Sequence, residues 1–166
     1  MILAGDVGGT KTRLGLFHAS SKSMLLKRSR TLSSTAFQSL EDIVDEFLLE
    51  DETIAAACFG VAGPVVSGSA IATNLPWNVS VKSLQHKLSI GSVSIVNDLV
   101  SNAYGIDVMQ GRDFTTLNRG RKIIGNKAIL SARDRTRCRR HVLGRQAACP
   151  IPVRRRTCGV RPQEPP

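Results

Sequence analysis

Gly5-Asp6-Val7-Gly8-Gly9-Thr10-Lys11-Thr12-Arg13-Leu14 decides how the chain is read. Met1 to Ala4 is a short apolar run that predicts a buried strand, and it delivers Asp6 to a turn where two glycines remove every β-carbon. A polyanion can approach such a backbone closely. Gly8 and Gly9 offer N–H donors, Thr10 adds a hydroxyl and an N–H, and Lys11 and Arg13 bring positive charge, a composition suited to phosphate oxygens. Asp6 repels phosphate unless a divalent cation, usually Mg²⁺, lies between them. The stretch is neither a Walker loop nor Gly-x-Gly-x-x-Gly. After Thr10 the chain alternates, with Leu14 and Leu16 against Arg13, Gly15 and Phe17, so the turn joins two strands of a hairpin and opens no helix. On Gly8-Gly9 alone an ordinary hairpin turn is the competing reading; the preceding acid and the following Thr10-Lys11-Thr12 favour phosphate.

This stretch resembles the first phosphate motif of the actin–hexokinase ATPase superfamily, and Gly5 to Thr10 is most similar to that of bacterial glucokinases. The resemblance implies that Gly5, Asp6, Val7, Gly8, Gly9 and Thr10 bind nucleotide, with Asp6 organising Mg²⁺ indirectly.

The 166 residues and 42% apolar content suit one globular domain with a core, whereas a two-lobed kinase needs about twice this length when each domain runs about 100–200 residues. No run of 18 apolar residues occurs, and Met1 leads into the first strand without a charged leader, so a cytoplasmic protein is expected. The net charge of +10 is unevenly spread: residues 131 to 166 carry +8, with ten Arg and no Lys, and the body before them only +2. Cys58, Cys138, Cys149 and Cys158 match no zinc spacing or disulfide framework.

Strands are predicted over Lys11 to His18 and Met24 to Leu32, completing an antiparallel meander. Leu40, Ile43, Val44, Phe47 and Leu48 recur at helical spacing within Ser39 to Leu49, with acids on the other face and Ser39 as N-cap. Ile54 to Val61 reads as a central strand ended by Gly63-Pro64, and Val65 to Ile71 as a small hairpin turning at Ser67-Gly68. A short helix through Val81, Leu84 and Leu88 and a strand from Val93 to Val96 follow. The element order gives an α/β fold with a mixed sheet, and the resemblance implies ribonuclease-H-like, actin–hexokinase topology, one lobe of a normally two-lobed kinase.

Asn97 and Asp98 fall at the carboxyl end of the 93–96 strand, the edge where open α/β sheets bind ligands. A carboxylate there can take a proton from a substrate hydroxyl, and an amide can bind sugar hydroxyls through donor and acceptor. The alternative is that Asp98 N-caps the helix running through Asn102 to Tyr104; the two roles are compatible. Ile95-Val96-Asn97-Asp98 again resembles the glucokinase family, which implies Asn97 as sugar ligand and Asp98 as catalytic base. Gly60 to Pro64 and Thr73-Asn74-Leu75-Pro76-Trp77 are also similar to that family, placing Asn74 near the sugar. Four motifs in order, over residues 1 to about 131, imply ATP-dependent phosphorylation of the glucose 6-hydroxyl in glycolysis. Glucose and ATP are the implied partners, membrane and nucleic acid are not, and the full-length family admits a homodimer. A non-catalytic sugar-binding or regulatory relative is the rival.

After a last strand at Lys127 to Leu130 the resemblance stops. The family continues with Gly-Thr-Gly-Leu-Gly and then Glu-Gly-Gly-His, but here the chain reads Ala132 to Arg137 and later Arg154 to Thr157. Residues 132–166 lack aromatic residues, hold five of the seven prolines and show almost no apolar periodicity, so they are read as a disordered tail after a lobe at 1–131. A slip of one nucleotide explains the break. Ala132 to Arg137 can be written GCC CGG GAC CGG ACT CGG, and one base later, with T next, that reads Pro-Gly-Thr-Gly-Leu-Gly. CGA AGG AGG ACA for Arg154 to Thr157 becomes Glu-Gly-Gly-His in the same shifted frame. The rival, a basic arm for nucleic acid, lacks aromatic residues to stack bases. Trypsin is expected to remove residues 132–166 rapidly and leave a protected product ending near Ser131. A tail as resistant as the body overturns the out-of-frame reading.

Overall fold

Gly5, Asp6 and Val7, read from sequence as the start of the turn, instead extend the first strand, because each finds a partner on both sides. In the computed structural model, which describes residues 1–20, 23–120, 127–131 and 139–143, β1 (Ile2–Val7) pairs antiparallel with β2 (Lys11–Ala19) and parallel with β4 (Ala56–Val61). β3 (Met24–Ser33) continues the meander on the far side of β2, and β8 (Val93–Asn97) lies parallel to β4, giving the order β3-β2-β1-β4-β8. Three antiparallel strands followed by two parallel additions form the mixed sheet expected from the sequence.

Strand alternation sends Leu3, Val7, Leu14, Leu16, Phe59, Val61 and Ile95 to one face, where all are buried. Helices α1 (Leu40–Phe47) and α2 (Val81–Leu88) add Leu40, Ile43, Val44, Phe47 and Leu84 to the same core. Each fully buried Leu or Phe contributes about 1.5–3 kcal/mol. Ser39 caps α1 as expected, its side chain accepting the Asp42 N–H at 3.1 Å, although the helix stops at Phe47, two residues short of the predicted end. Helix α3 (Asp98–Ile106) lies on the other side of the sheet. It approaches β4 at Gly60, where a β-carbon would meet the Ser101 Cβ at 3.0 Å.

Between β4 and α2 the chain forms a separate three-stranded sheet of β5 (Val65–Val66), β6 (Ser69–Ile71) and β7 (Asn78–Ser80). The hairpin turns at Ser67-Gly68, both with positive φ (49° and 73°), as predicted. β7 was not predicted, because Asn78-Val79-Ser80 carries a single apolar residue and its pairing partner Ala70 is distant in sequence. Trp77 is buried beside it and donates its Nε1–H to the Phe37 carbonyl at 3.3 Å.

These elements belong to a compact unit spanning Met1–Arg119; the second unit is Gly120–Pro166. In it β9 (Lys127–Ser131) pairs antiparallel with β10 (Arg139–Leu143), Arg139 opposite Ser131 and Leu143 opposite Lys127. No strand was predicted at 139–143, where five residues with three basic side chains show no alternation. Otherwise residues 132–166, with the expected break and both frame-shifted motifs, lie outside the described residues. No helix among the described residues is long and apolar enough to cross a membrane.

Glu52 ties β3 to the loop after α1. Its carboxylate accepts from Arg28 Nη1 at 3.0 Å and Nη2 at 2.6 Å, from the Leu49 N–H at 3.1 Å and from Lys27 Nζ at 3.4 Å. Arg28 also donates to the Phe47 carbonyl at 2.8 Å and stacks over the Phe47 ring. Burial alone raises the Glu52 carboxyl, but the Arg28 hydrogen bonds, the Leu49 amide, the guanidinium charge and Lys27 outweigh it and hold it below 4.5. A depressed carboxylate stabilises the fold fully above its unfolded value and loses that contribution as pH falls through the folded one. Glu52→Gln is therefore expected to lower the melting temperature at pH 7 and to narrow its gap to the parent as pH drops below 4.5; equal melting curves at both pH values overturn this.

Candidate active site

Val7, Val61 and Asn97 stand in register at the carboxyl ends of β1, β4 and β8, and beyond them three segments of chain must satisfy their backbone groups without a sheet. They do so with one another. The Ala62 N–H donates to the Val7 carbonyl at 3.0 Å, and the Ala62 carbonyl accepts from the Thr73 N–H at 2.9 Å and the Thr73 hydroxyl at 2.6 Å. Asn97 Nδ2 donates to the Gly63 carbonyl at 2.7 Å. The Gly-Gly turn, the segment after β4, the segment before Trp77 and the β8–α3 junction thereby converge.

The predicted residues come together at this edge. Asp6 pairs in register with Gly60, and the Asp98 Cα lies 3.7 Å from the position a Gly60 β-carbon would take, so both acids adjoin one glycine on one face of the sheet. Asn74, in a left-handed conformation (φ 64°), adjoins the turn, its Cβ 3.3 Å from where a Gly9 β-carbon would sit. Gly9 has a different reason from the one read in the sequence: its missing side chain is replaced by the Thr73 carbonyl, 2.5 Å from that position. The glycine therefore admits neighbouring backbone.

The cap of α3 is shifted by one residue from the sequence reading. Asn97, not Asp98, is the N-cap: its Oδ1 accepts the Leu99 N–H at 3.0 Å, while Asp98 is the first helical residue and its Oδ1 accepts the same N–H at 3.0 Å. The Asn97 amide, read as a sugar ligand, thus has its donor on Gly63 and its acceptor on the helix. These bonds fix its orientation, and each end retains one further hydrogen-bonding direction.

Sequence reasoning missed Ser34 and took Thr12 only as part of a phosphate-favouring run, whereas these are the two polar side chains buried among the described residues. Ser34 Oγ donates to the Gly8 carbonyl at 2.7 Å, and its N–H to the Thr10 carbonyl at 2.9 Å. The available signal was Thr12 in step with Leu14 and Leu16, a hydroxyl at a core-facing position.

Around the turn, whose Gly8 and Thr10 carbonyls are held from inside by Ser34, lie two carboxylates and two carboxamides. A family model described as Glucokinase matches residues 3–132. The chain belongs to the glucokinase family. Glucokinase from Nostoc punctiforme is 37% identical over 124 residues, covering 73% of this chain and 36% of the relative. That from Synechocystis sp. is 39% identical over 127 residues, covering 69% and 36%. The crystal structure of a glucokinase from an Antarctic psychrotroph matches with a TM-score of 0.68 at 27% identity, over 78% of this chain and 42% of that one. The chain spans about a third of the length of these curated glucokinase relatives.

Within this glucokinase-family lobe, Asn97→Ala removes a helix cap and leaves the Gly63 carbonyl without its donor. A loss of about 1–2 kcal/mol of stability is expected by chemical denaturation. A change within about 0.3 kcal/mol contradicts the hydrogen-bond assignment, because even exposed caps contribute more.

Proposed function

We propose that residues 1–119 form one side of a glucokinase site, at which the γ-phosphoryl group of ATP passes to the 6-hydroxyl of glucose. The observation that supports it is that Asp6 and Asp98 adjoin Gly60 beside the Gly8-Gly9-Thr10 turn, in a chain of this family. Asp98 takes the proton of the 6-hydroxyl as that oxygen attacks the γ-phosphorus and the bond to the ADP oxygen breaks. Asn97 and Asn74 orient the sugar, with Asn97 held rigid by Gly63 and Leu99. The Gly9 and Thr10 N–H groups of the turn donate to phosphate oxygens, the Gly8 N–H being held by the Lys11 carbonyl at 3.1 Å. Asp6 is the residue that would hold Mg²⁺ through its water shell, and the ion would neutralise phosphate charge there. The cytoplasm is the compartment where ATP and glucose meet such an enzyme.

Phosphoryl transfer depends on positioning, and effective molarities of about 10⁵–10⁸ M are reached only when both partners are held. The Gly-Thr-Gly-Leu-Gly turn and the Glu-Gly-Gly-His motif implied by the family resemblance do not occur in residues 132–166. The 166-residue chain is therefore expected to show no useful glucose-dependent ADP release, and a chain with its frame restored after Ser131 is expected to turn over. In that restored chain Asp98→Asn is expected to lower kcat by about two to four orders of magnitude while glucose still binds. Near-normal kcat reduces Asp98 to a helix-start residue, and glucose binding without turnover in the unmutated restored chain identifies a sensor instead of an enzyme.

A further inference from the structure

We propose that Thr12 and Ser34 are positioning residues that set the phosphate-facing orientation of the Gly8-Gly9-Thr10 turn. This rests on the reading of that turn as a phosphate cradle and adds the residues that would make it one.

Proton inventory fixes the direction of the network. Ser34 has a single hydroxyl hydrogen, and its contact with the Gly8 carbonyl, which can only accept, at 2.7 Å uses it. The 2.9 Å contact between Thr12 Oγ1 and Ser34 Oγ must then be a donation from Thr12. The relay runs from the Thr12 hydroxyl to Ser34 and on to the Gly8 carbonyl, and each bond polarises the next. Both side chains are fully buried, so water does not compete for these groups. A second anchor comes from the Ser34 backbone, whose N–H holds the Thr10 carbonyl at 2.9 Å.

The consequence follows from the planar trans peptide. The Gly8 carbonyl and the Gly9 N–H belong to one peptide and point in opposite directions, so drawing the carbonyl inward to Ser34 turns the Gly9 N–H outward. The Thr10–Lys11 peptide is constrained in the same sense. Without the relay the Gly8–Gly9 peptide can flip at low cost, since two glycines oppose no backbone rotation. A flipped peptide presents a carbonyl to the phosphate instead of a donor.

The test is a titration of the ¹⁵N-labelled 166-residue chain with MgATP, following the amide signals of Gly9 and Lys11. In the parent both amides are expected to shift. Ser34→Ala is expected to weaken that response about tenfold, and Thr12→Val to weaken it less, with the amide signals of Phe59 and Ile95 unmoved in both. Thr12→Ser keeps the hydroxyl and is expected to restore the parental affinity, which a loss of packing alone does not predict. If Ser34→Ala does not fold, the Thr12→Val and Thr12→Ser pair decides the question by itself. Parental affinity and shifts in Ser34→Ala or Thr12→Val overturn the positioning role while leaving the cradle reading intact. No shift at the turn in the parent overturns the cradle reading and the proposal with it.

Discussion

Ala62 hydrogen-bonds in both directions, to Val7 through its N–H and to Thr73 through its carbonyl, and the site depends on this residue more than on any charged group. The parallel part of the sheet ends abruptly: past Val7, Val61 and Asn97 the ladder stops, and the backbone and side-chain groups beyond it would otherwise face each other unpaired. Their pairing brings together segments from four parts of the sequence. Gly9 and Gly60 then allow close approaches, one to the Thr73 carbonyl and one to α3. Two glycines of the motif-bearing segments are thus needed for packing, whatever ligand binds beside them.

The arrangement also separates tasks by sheet face. Inward-facing positions carry the core and, at its edge, the Thr12–Ser34 relay beneath the turn. The other face carries Asp6 and the start of α3 with Asp98, the two acids the proposed reaction draws on. A turn held from its buried side presents fixed dipoles, which the proposed phosphoryl transfer would reward over mobile side chains.

Most of the lobe was legible because its elements are locally encoded. Ser39 with the apolar spacing of Ile43, Val44 and Phe47 announced α1, and the Ser67-Gly68 hairpin followed from turn chemistry. The ends of elements were less legible. β1 runs three residues further than its apolar content suggests, since pairing with both β2 and β4 holds Gly5, Asp6 and Val7 extended. The helix cap moved from Asp98 to Asn97 because Asn97 is already anchored on Gly63, a contact 34 residues away in sequence.

The order of residues by itself determined the α/β class, the meander, the hairpin turn at Gly8-Gly9 and the candidacy of Asp6, Asn74, Asn97 and Asp98, all of which depend on periodicity, turn chemistry or motif within a few residues. Only the tertiary structure decided that β7 exists, that Gly9 makes room for Thr73, and that Thr12 and Ser34 face each other beneath the turn. Each of these is a contact between distant segments, and steric fit and hydrogen-bond satisfaction between such segments arise only once the sheet has brought them together.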